Sequence, residues 1–421
     1  MTRTPYCIAS GIDVHKTFYQ VSIVSDKNTS PLRHRFKRIF EDVNNLRNLL
    51  LSHHVETVAC ESTSDYWLPL FHVLSPHMDF VLGNPFDMKA NFHKKTDETD
   101  ADHIAYLALH KMIKPSRIFS EEDRALRSII RLRYDFVRWR TQIKNYIHHL
   151  FDSELFRLSS VLSDIFGKSG QMIISSIIDG TPIDEVIPKL SHHVKKKEEA
   201  LREVLKQTLS PITCHLLSSS MMILREYDNH IAHLTSLARD MVLSRKAREY
   251  EILCSIPGIG DVSAMTILAE IGDVHDFDTG DKFASWLGIV PRVYQSANKL
   301  HTGSITKRGS HVARWILTEA AQSCGLAKDN ALRRFYQKKK AEIGGKKAVM
   351  ATARKIATII WHLLINDEVY EDEVYKCIKQ KRKVHLVIPR EVSVNELMEV
   401  LREANVMLKE RRIEDNWEGF S

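Results

Sequence analysis

The stretch KKTDETDADHIA (Lys94 to Ala105) sets four carboxylates, Asp97, Glu98, Asp100 and Asp102, at the opening of a helical pattern. Two more acids follow apolar runs: Asp13 in YCIASGIDV (Tyr6 to Val14), and Glu61 directly after VETVAC (Val55 to Cys60). Carboxylates drawn together repel one another unless cations sit between them. Magnesium, or manganese in its place, takes such hard oxygen ligands. Two ions about 4 Å apart clamp the attacking and leaving oxygens of a phosphodiester. Each acid alone has a plainer reading: an Asp after a strand is commonly a turn residue, and Glu61, flanked by Ser62 and Thr63, equally caps a helix. The joint pattern is what points to metal-assisted phosphodiester chemistry.

A helical wheel ranks the clustered acids. Asp97 falls on the apolar face made by Ala101, Ile104, Ala105, Ala108 and Met112, where a lone charge is costly. Asp100 and Glu98 flank that face, and Asp102 points largely outward. Asp97 is therefore the strongest ligand candidate and Asp102 the weakest, while periodicity does not separate Asp100 from Glu98. Asp97 and Asp100, at i and i+3, can reach one site together.

The elements that must position these acids read, over residues 6 to 112, as strand, strand, strand, helix, strand, helix, strand, helix. FYQVSIVS (Phe18 to Ser25) alternates as a half-buried strand does, and RHRFKRIF (Arg33 to Phe40) suits a sheet edge. EDVNNLRNLLLS (Glu41 to Ser52) and DYWLPLFHVL (Asp65 to Leu74) are helical, the latter with Pro69 awkwardly late, and MDFVLG (Met78 to Gly83) is a strand. This order matches a ribonuclease H-like α/β fold, parts of which many other α/β topologies share. In such a mixed sheet, strand ends and a helix start converge on one edge. Asp13 ends the first strand and Glu61 the fourth.

Downstream the pattern turns helical. Asp123 to Phe151 carries many Arg and Lys residues, on a face that tracks a phosphate backbone or is merely solvated. Ser191 to Ser210 and Met221 to Leu253 read as an antiparallel helix pair or coiled coil broken at Pro211. The pairs His148–His149 and His192–His193 diverge on a helix, which argues against zinc. In LCSIPGIGDVSAMTILAEIGDVHDF (Leu253 to Phe277), Pro257-Gly258-Ile259-Gly260 separates two helical runs. That resembles a helix-hairpin-helix whose Gly258 and Gly260 bring backbone N–H groups to a phosphate; a plain helix–helix turn looks the same. Between Arg292 and Arg314 the bases Arg292, Lys299, Lys307, Arg308 and Arg314 meet no acid, and Gly303 and Gly309 suggest loops. Such a segment is suited to lie against phosphate. Arg333 to Ala357 adds a basic stretch with one acid, Glu342. The expected division is an α/β domain over 1–115, a helical connector over 116–247, a mainly helical domain over 248–365 and a tail over 366–421.

Composition bounds the class. At 421 residues the chain exceeds one ordinary core, and 43% hydrophobic with 27% charged residues is a soluble globular balance. The longest apolar run, IATIIWHLLI (Ile356 to Ile365), falls short of the roughly 20 residues that span a bilayer. The N-terminus lacks a signal peptide's apolar core. The six cysteines are scattered without a CxxC pair, as in a cytoplasmic protein with reduced thiols. A net charge of +7 suits a polyanion partner without requiring one.

GIDVHK, ACEST and KTDETDA, followed by IPGIGDVSA, WLGIVPRVYQS and GSITKRG, form an ordered set. Together they resemble the insertion-sequence-110 family of DEDD transposases, the Piv/MooV-like recombinases, from residue 8 to about 325. The resemblance implies a RuvC-like ribonuclease H domain whose four acids bind magnesium. Its KTDxxDA pattern falls on Asp97 and Asp100, with Asp13 and Glu61 completing the set. It also implies a serine nucleophile in YQS, here Ser296, which cuts and rejoins DNA through a covalent phosphoserine. Ala297-Asn298-Lys299 stands where Gly-Gly-Lys is usual, which restricts the loop. Ser304, in TGSITKRG, is the rival nucleophile, at a position variable in the family. The implied partners are donor and target DNA, a noncoding bridge RNA that chooses sequence by base pairing, and further copies of the chain as a dimer or tetramer, with no membrane. The implied setting is prokaryotic cytoplasm, with nucleoid association when active. Two other classes stay open: a RuvC-like nuclease using water, with Ser296 only binding phosphate, and a non-catalytic DNA- or RNA-binding regulator.

Overall fold

The computed structural model describes residues 6–88, 97–296, 299–307 and 309–372, with backbone alone for residues 28, 29, 86, 87, 97, 98, 293–296 and 299–302. The chain divides into two compact units between Arg124 and Ala125.

In the first unit, β1 (Ile8–Val14), β2 (Phe18–Ser25) and β3 (Asn28–Lys37) form an antiparallel meander. Next come α1 (Phe40–Ser52), β4 (Thr57–Glu61), α2 (Leu68–Leu74), β5 (Asp79–Gly83), a single turn α3 (Pro85–Met88) and α4 (Asp97–Leu109). The sheet order is β3-β2-β1-β4-β5, with β4 parallel to β1 and β5 parallel to β4. This is the predicted order of elements, with α3 added. β3 starts earlier than RHRFKRIF suggested because Ser25 pairs directly with Asn28, and Pro31 is tolerated since β3 is an edge strand. α2 starts late, at Leu68, so Pro69 lies in its first turn, where a missing N–H costs nothing.

Alternation along β1 sorts its side chains onto two faces. Ile12, Val14, Val58 and Cys60 pack with Val43, Leu46 and Leu50 of α1 and Leu70 and Leu74 of α2. Ala9 and Ala59 pack on the other face with Ile104, Ala108 and Leu109 of α4. Gly11 lets α4 settle on that face: a Cβ there would lie 2.2 Å from the Ala105 nitrogen and 2.3 Å from the Ala101 oxygen.

The second unit is built on α5 (Glu121–Ser153), whose residues from Ala125 belong to it. Short helices α6 (Leu158–Val161), α7 (Lys168–Asp179), α8 (Ile183–Val186), α9 (His192–Lys195) and α10 (Glu198–Val204) lead to α11 (Pro211–Arg245). The long antiparallel pair is α5 with α11: Arg133 donates to Thr235 at 2.6 Å, Arg140 to Asp228 at 2.8 Å, and Phe136 stacks on His230. Sequence periodicity instead suggested pairing 191–210 with 221–253. The first of these is two short helices, because its lysine-rich middle offers no continuous apolar stripe. Pro211 starts α11 rather than breaking a coiled coil, with Ser210 as N-cap accepting from the Thr213 N–H.

The rest is α12 (Ala247–Ser255), α13 (Asp261–Ile271), α14 (Gly280–Trp286), a β-hairpin of β6 (Pro291–Ser296) and β7 (Lys299–Ile305), α15 (His311–Leu326), α16 (Ala331–Ile343) and α17 (Gly345–Asn366). α17 is long and apolar enough to cross a membrane by length and composition. In this unit it is a core helix, with Ala353, Ile356, Ala357, Ile359 and Ile360 fully buried.

Candidate functional site

Asp13 and Glu61 are brought together by strand register. Ile12 pairs with Cys60 across parallel β1 and β4, so Asp13 and Glu61 are the next positions on neighbouring strands. Both share the parity of Gly11 and Ala59, the face that α4 covers. α4 runs back along β1: the Tyr6 N–H donates to the Leu109 carbonyl at 3.0 Å, and Gly11 meets Ala101 and Ala105. Its first turn, with Asp97 and Asp100, therefore lies toward Asp13. Asp13 is 17% exposed and Asp100 is half-buried; for Asp97 and Glu98 the backbone alone is described.

Asp102 departs from the outward position the wheel gave it. It accepts from the Ser22 hydroxyl at 2.6 Å and from Arg33 Nη2 at 2.6 Å and Nε at 3.2 Å. The wheel misses this because a wide sheet reaches past the helix's apolar stripe to β2 and β3. Asp102 is thus a latch between helix and sheet. Sequence reasoning also passed over His15, whose Nε2 lies 2.9 Å from Asp13 Oδ2 and whose ring stacks on Phe18 at 4.4 Å. Its signal was its place one strand repeat beyond Asp13. Among the described residues no three His, Cys, Asp or Glu side chains gather closely enough to hold a metal ion. The donors still suit a hard cation: Asp13, Glu61 and Asp100 offer only carboxylate oxygens, from two adjoining strand ends and one helix turn.

In the second unit Ser296 is the last residue of β6 and pairs with Lys299 of β7. The two residues between them, Ala297 and Asn298, lie outside the described set. Ser296 therefore belongs to the tip of a hairpin rather than to a free loop, and Gly303 is a strand residue. Val, Tyr, Thr and Ile in the two runs favour strands, a signal hidden beneath the basic charge. Ser304 is exposed near the hairpin's base. Arg292 is exposed and reaches the Thr306 carbonyl at 3.4 Å. Lys307 is exposed with φ of 57°, and Arg308 lies outside the described residues. Arg314, expected among the phosphate contacts, turns inward instead. It donates to the Gly309 carbonyl at 2.6 Å and the Leu287 carbonyl at 3.4 Å, and burial pushes its guanidinium below the usual range.

The Pro257–Gly260 segment does join two helices. Gly258, with φ of 88°, is pressed against α15, where a Cβ would lie 2.5 Å from the Ala320 oxygen, while Gly260 faces open space. Asp261, beside that open end, pairs with Arg239 and accepts from Tyr250 at 2.8 Å. Partial burial pushes its carboxyl up, but these two partners hold it below the usual range. Deeper in α13, Glu270 is fully buried yet held below the ordinary carboxylate range: burial acts against it, and Arg131 (2.8 Å) and Arg127 (3.0 Å) outweigh that.

Two family models match these two regions. Residues 10–155 match the DEDD transposase model of the IS110 type, and residues 250–337 match the transposase IS116/IS110/IS902 family, together more than half of the chain. The chain belongs to the IS110/IS116 transposase family. A "Probable family 20 transposase" of Pseudomonas aeruginosa is 27% identical over 86% of this chain and 97% of its own length. The transposase for insertion sequence element IS1111A of Coxiella burnetii is 24% identical over 66% of this chain and 68% of that protein. A pilin gene-inverting protein of Moraxella lacunata is 23% identical over 45% of this chain and 60% of its own length. Family membership makes the chain a DNA-rearranging transposase, and the two matched segments hold the acid edge and the serine hairpin respectively.

Proposed function

We propose that this transposase cuts and rejoins DNA by serine transesterification through Ser296, and that its RuvC-like carboxylate edge binds the metal ion the reaction uses. The reading is carried by one observation: Asp13 and Glu61 occupy adjoining strand ends on the face under which α4 opens with Asp97 and Asp100. Order 3-2-1-4-5 with an antiparallel edge supports the ribonuclease H-like assignment. Asp13, Glu61, Asp97 and Asp100 would hold magnesium or manganese, which when bound neutralises charge on the reacting phosphate. His15 fixes the Asp13 carboxylate through its ring nitrogen.

The Ser296 hydroxyl attacks phosphorus; a Ser–O–P bond forms, and the displaced DNA oxygen leaves as a hydroxyl. Attack on the phosphoserine by a hydroxyl of the partner strand restores Ser296 and reseals the DNA without hydrolysis. Arg292, Lys299, Lys307 and Arg308 neutralise backbone phosphate, and Arg314 braces the backbone at Gly309. Gly260, at the open end of the helix-hairpin-helix, offers a further phosphate contact, and Gly258 sets the bend. Sequence choice falls to a bridge RNA, and a dimer or tetramer in the prokaryotic cytoplasm brings two DNA ends together. The expected domains are 1–115, 116–247, 248–365 and 366–421; the last lies largely outside the described residues.

Asp13→Ala and Ser296→Ala are expected to abolish excision of a marked element while circular dichroism and melting stay as in the parent. Normal excision by either folded variant removes its residue from the reaction.

A further inference from the structure

Three aromatic rings meet on one surface of the second unit. His311 and Trp315 lie one turn apart on α15, and Tyr134 of α5 packs against both, with centroids at 5.9 and 4.9 Å. The core does not need Trp315: α15 already buries Val312, Ala313, Ile316, Leu317, Ala320, Ala321 and Cys324. Trp315 is left 38% exposed, and His311 is exposed. Arg138 sits 5.8 Å over the Tyr134 ring, with its side chain 58% exposed and Asp135 3.5 Å away.

The charge beside this patch is mainly basic, with Asp135 of α5, paired with Arg138, and Glu319 of α15 as nearby acids. His311 directly follows the turn that carries Lys307, and no acid occurs between Arg292 and Trp315; the first is Glu319, one turn farther along α15. Aromatic faces bordered by cations are what an unpaired base and its phosphates recognise together, since every base has a π-face and every nucleotide a negative charge. A protein partner would find apolar rings here beside basic groups with few acids to balance them.

We propose that Tyr134, His311 and Trp315 form a stacking platform for an unpaired nucleobase, seated beside the basic turn at the foot of the Ser296 hairpin. The inference rests on the nucleic-acid reading of that hairpin and adds a structural preference to it: a strand with one base out of the helix over a fully paired duplex. Trp315 supplies the main face, and Tyr134 of α5 packs against it with the rings tilted 58° to one another.

The test uses the full-length protein and two duplexes of one sequence, with 2-aminopurine either paired or unpaired at a single position. The unpaired duplex is expected to bind more tightly, with its fluorescence quenched. Trp315→Ala is expected to lose quenching and to weaken binding of the unpaired duplex roughly 5- to 150-fold, the range of one base–aromatic stack. Trp315→Phe is expected to keep most of both, and paired-duplex affinity is expected to be the same in all three proteins. If Trp315→Ala retains the preference and the quenching, the platform is overturned while DNA binding stands. If the parent binds neither duplex, the nucleic-acid reading falls and takes the platform with it.

Discussion

Asp100 and Asp102 sit two positions apart on α4 and are predicted to fail differently. Asp102 is occupied by Ser22 and Arg33. Asp102→Asn is expected to cost about 0.5–1 kcal/mol, because its Arg33 pair is partly exposed, and to leave cleavage measurable in a plasmid assay. Asp100→Asn is expected to leave the melting temperature near the parent's and to abolish cleavage. Loss of cleavage in Asp102→Asn would move the ligand assignment along the helix. Glu270 is the other decisive carboxylate. Glu270→Ala leaves Arg127 and Arg131 without their shared anion, and chemical denaturation is expected to show a loss of roughly 3–5 kcal/mol. Its lowered folded value fixes the sign of the pH effect: the stabilisation is fully present above the ordinary carboxylate range. It is lost as pH falls below that range, so the difference between parent and variant should narrow in acid.

At the scale of elements, two close backbone approaches set how a helix and a turn are seated. Gly11→Ala places a methyl 2.2 Å from the α4 backbone, and overpacking of this kind costs about 1–3 kcal/mol. The same displacement shifts Asp97 and Asp100, so cleavage should fall further than stability alone explains. Gly309→Ala would meet the Trp286 carbonyl at 2.1 Å and open the turn braced by Arg314. DNA affinity in a mobility-shift assay is expected to drop while the first unit is unaffected. These contacts explain what was legible in the chain. Alternating and helical periods gave the first unit's elements in order, because its sheet buries strands on known faces. The β6–β7 hairpin, the α5–α11 pairing and the Asp102 latch depend on partners remote in sequence, which local periodicity does not encode. Asp13, Glu61 and the first turn of α4 were readable because each lies at or next to the end or start of an element.

For the whole molecule, an acid edge and a serine hairpin fall in separate compact units, each within a segment matched by its own transposase model. With a net charge of +7 concentrated in basic stretches, binding to duplex DNA is expected to weaken steeply as salt is raised. The role of Ser296 distinguishes a transposase that carries the strand on itself from a nuclease that uses water. The most direct measurement is to trap a nicked substrate with the full-length protein and magnesium, then locate any protein–DNA adduct by mass spectrometry. The account predicts one nucleotide-bearing peptide, modified at Ser296 and absent from Ser296→Ala and Asp13→Ala. Cut DNA ends without an adduct, or an adduct that survives in Ser296→Ala, would contradict it.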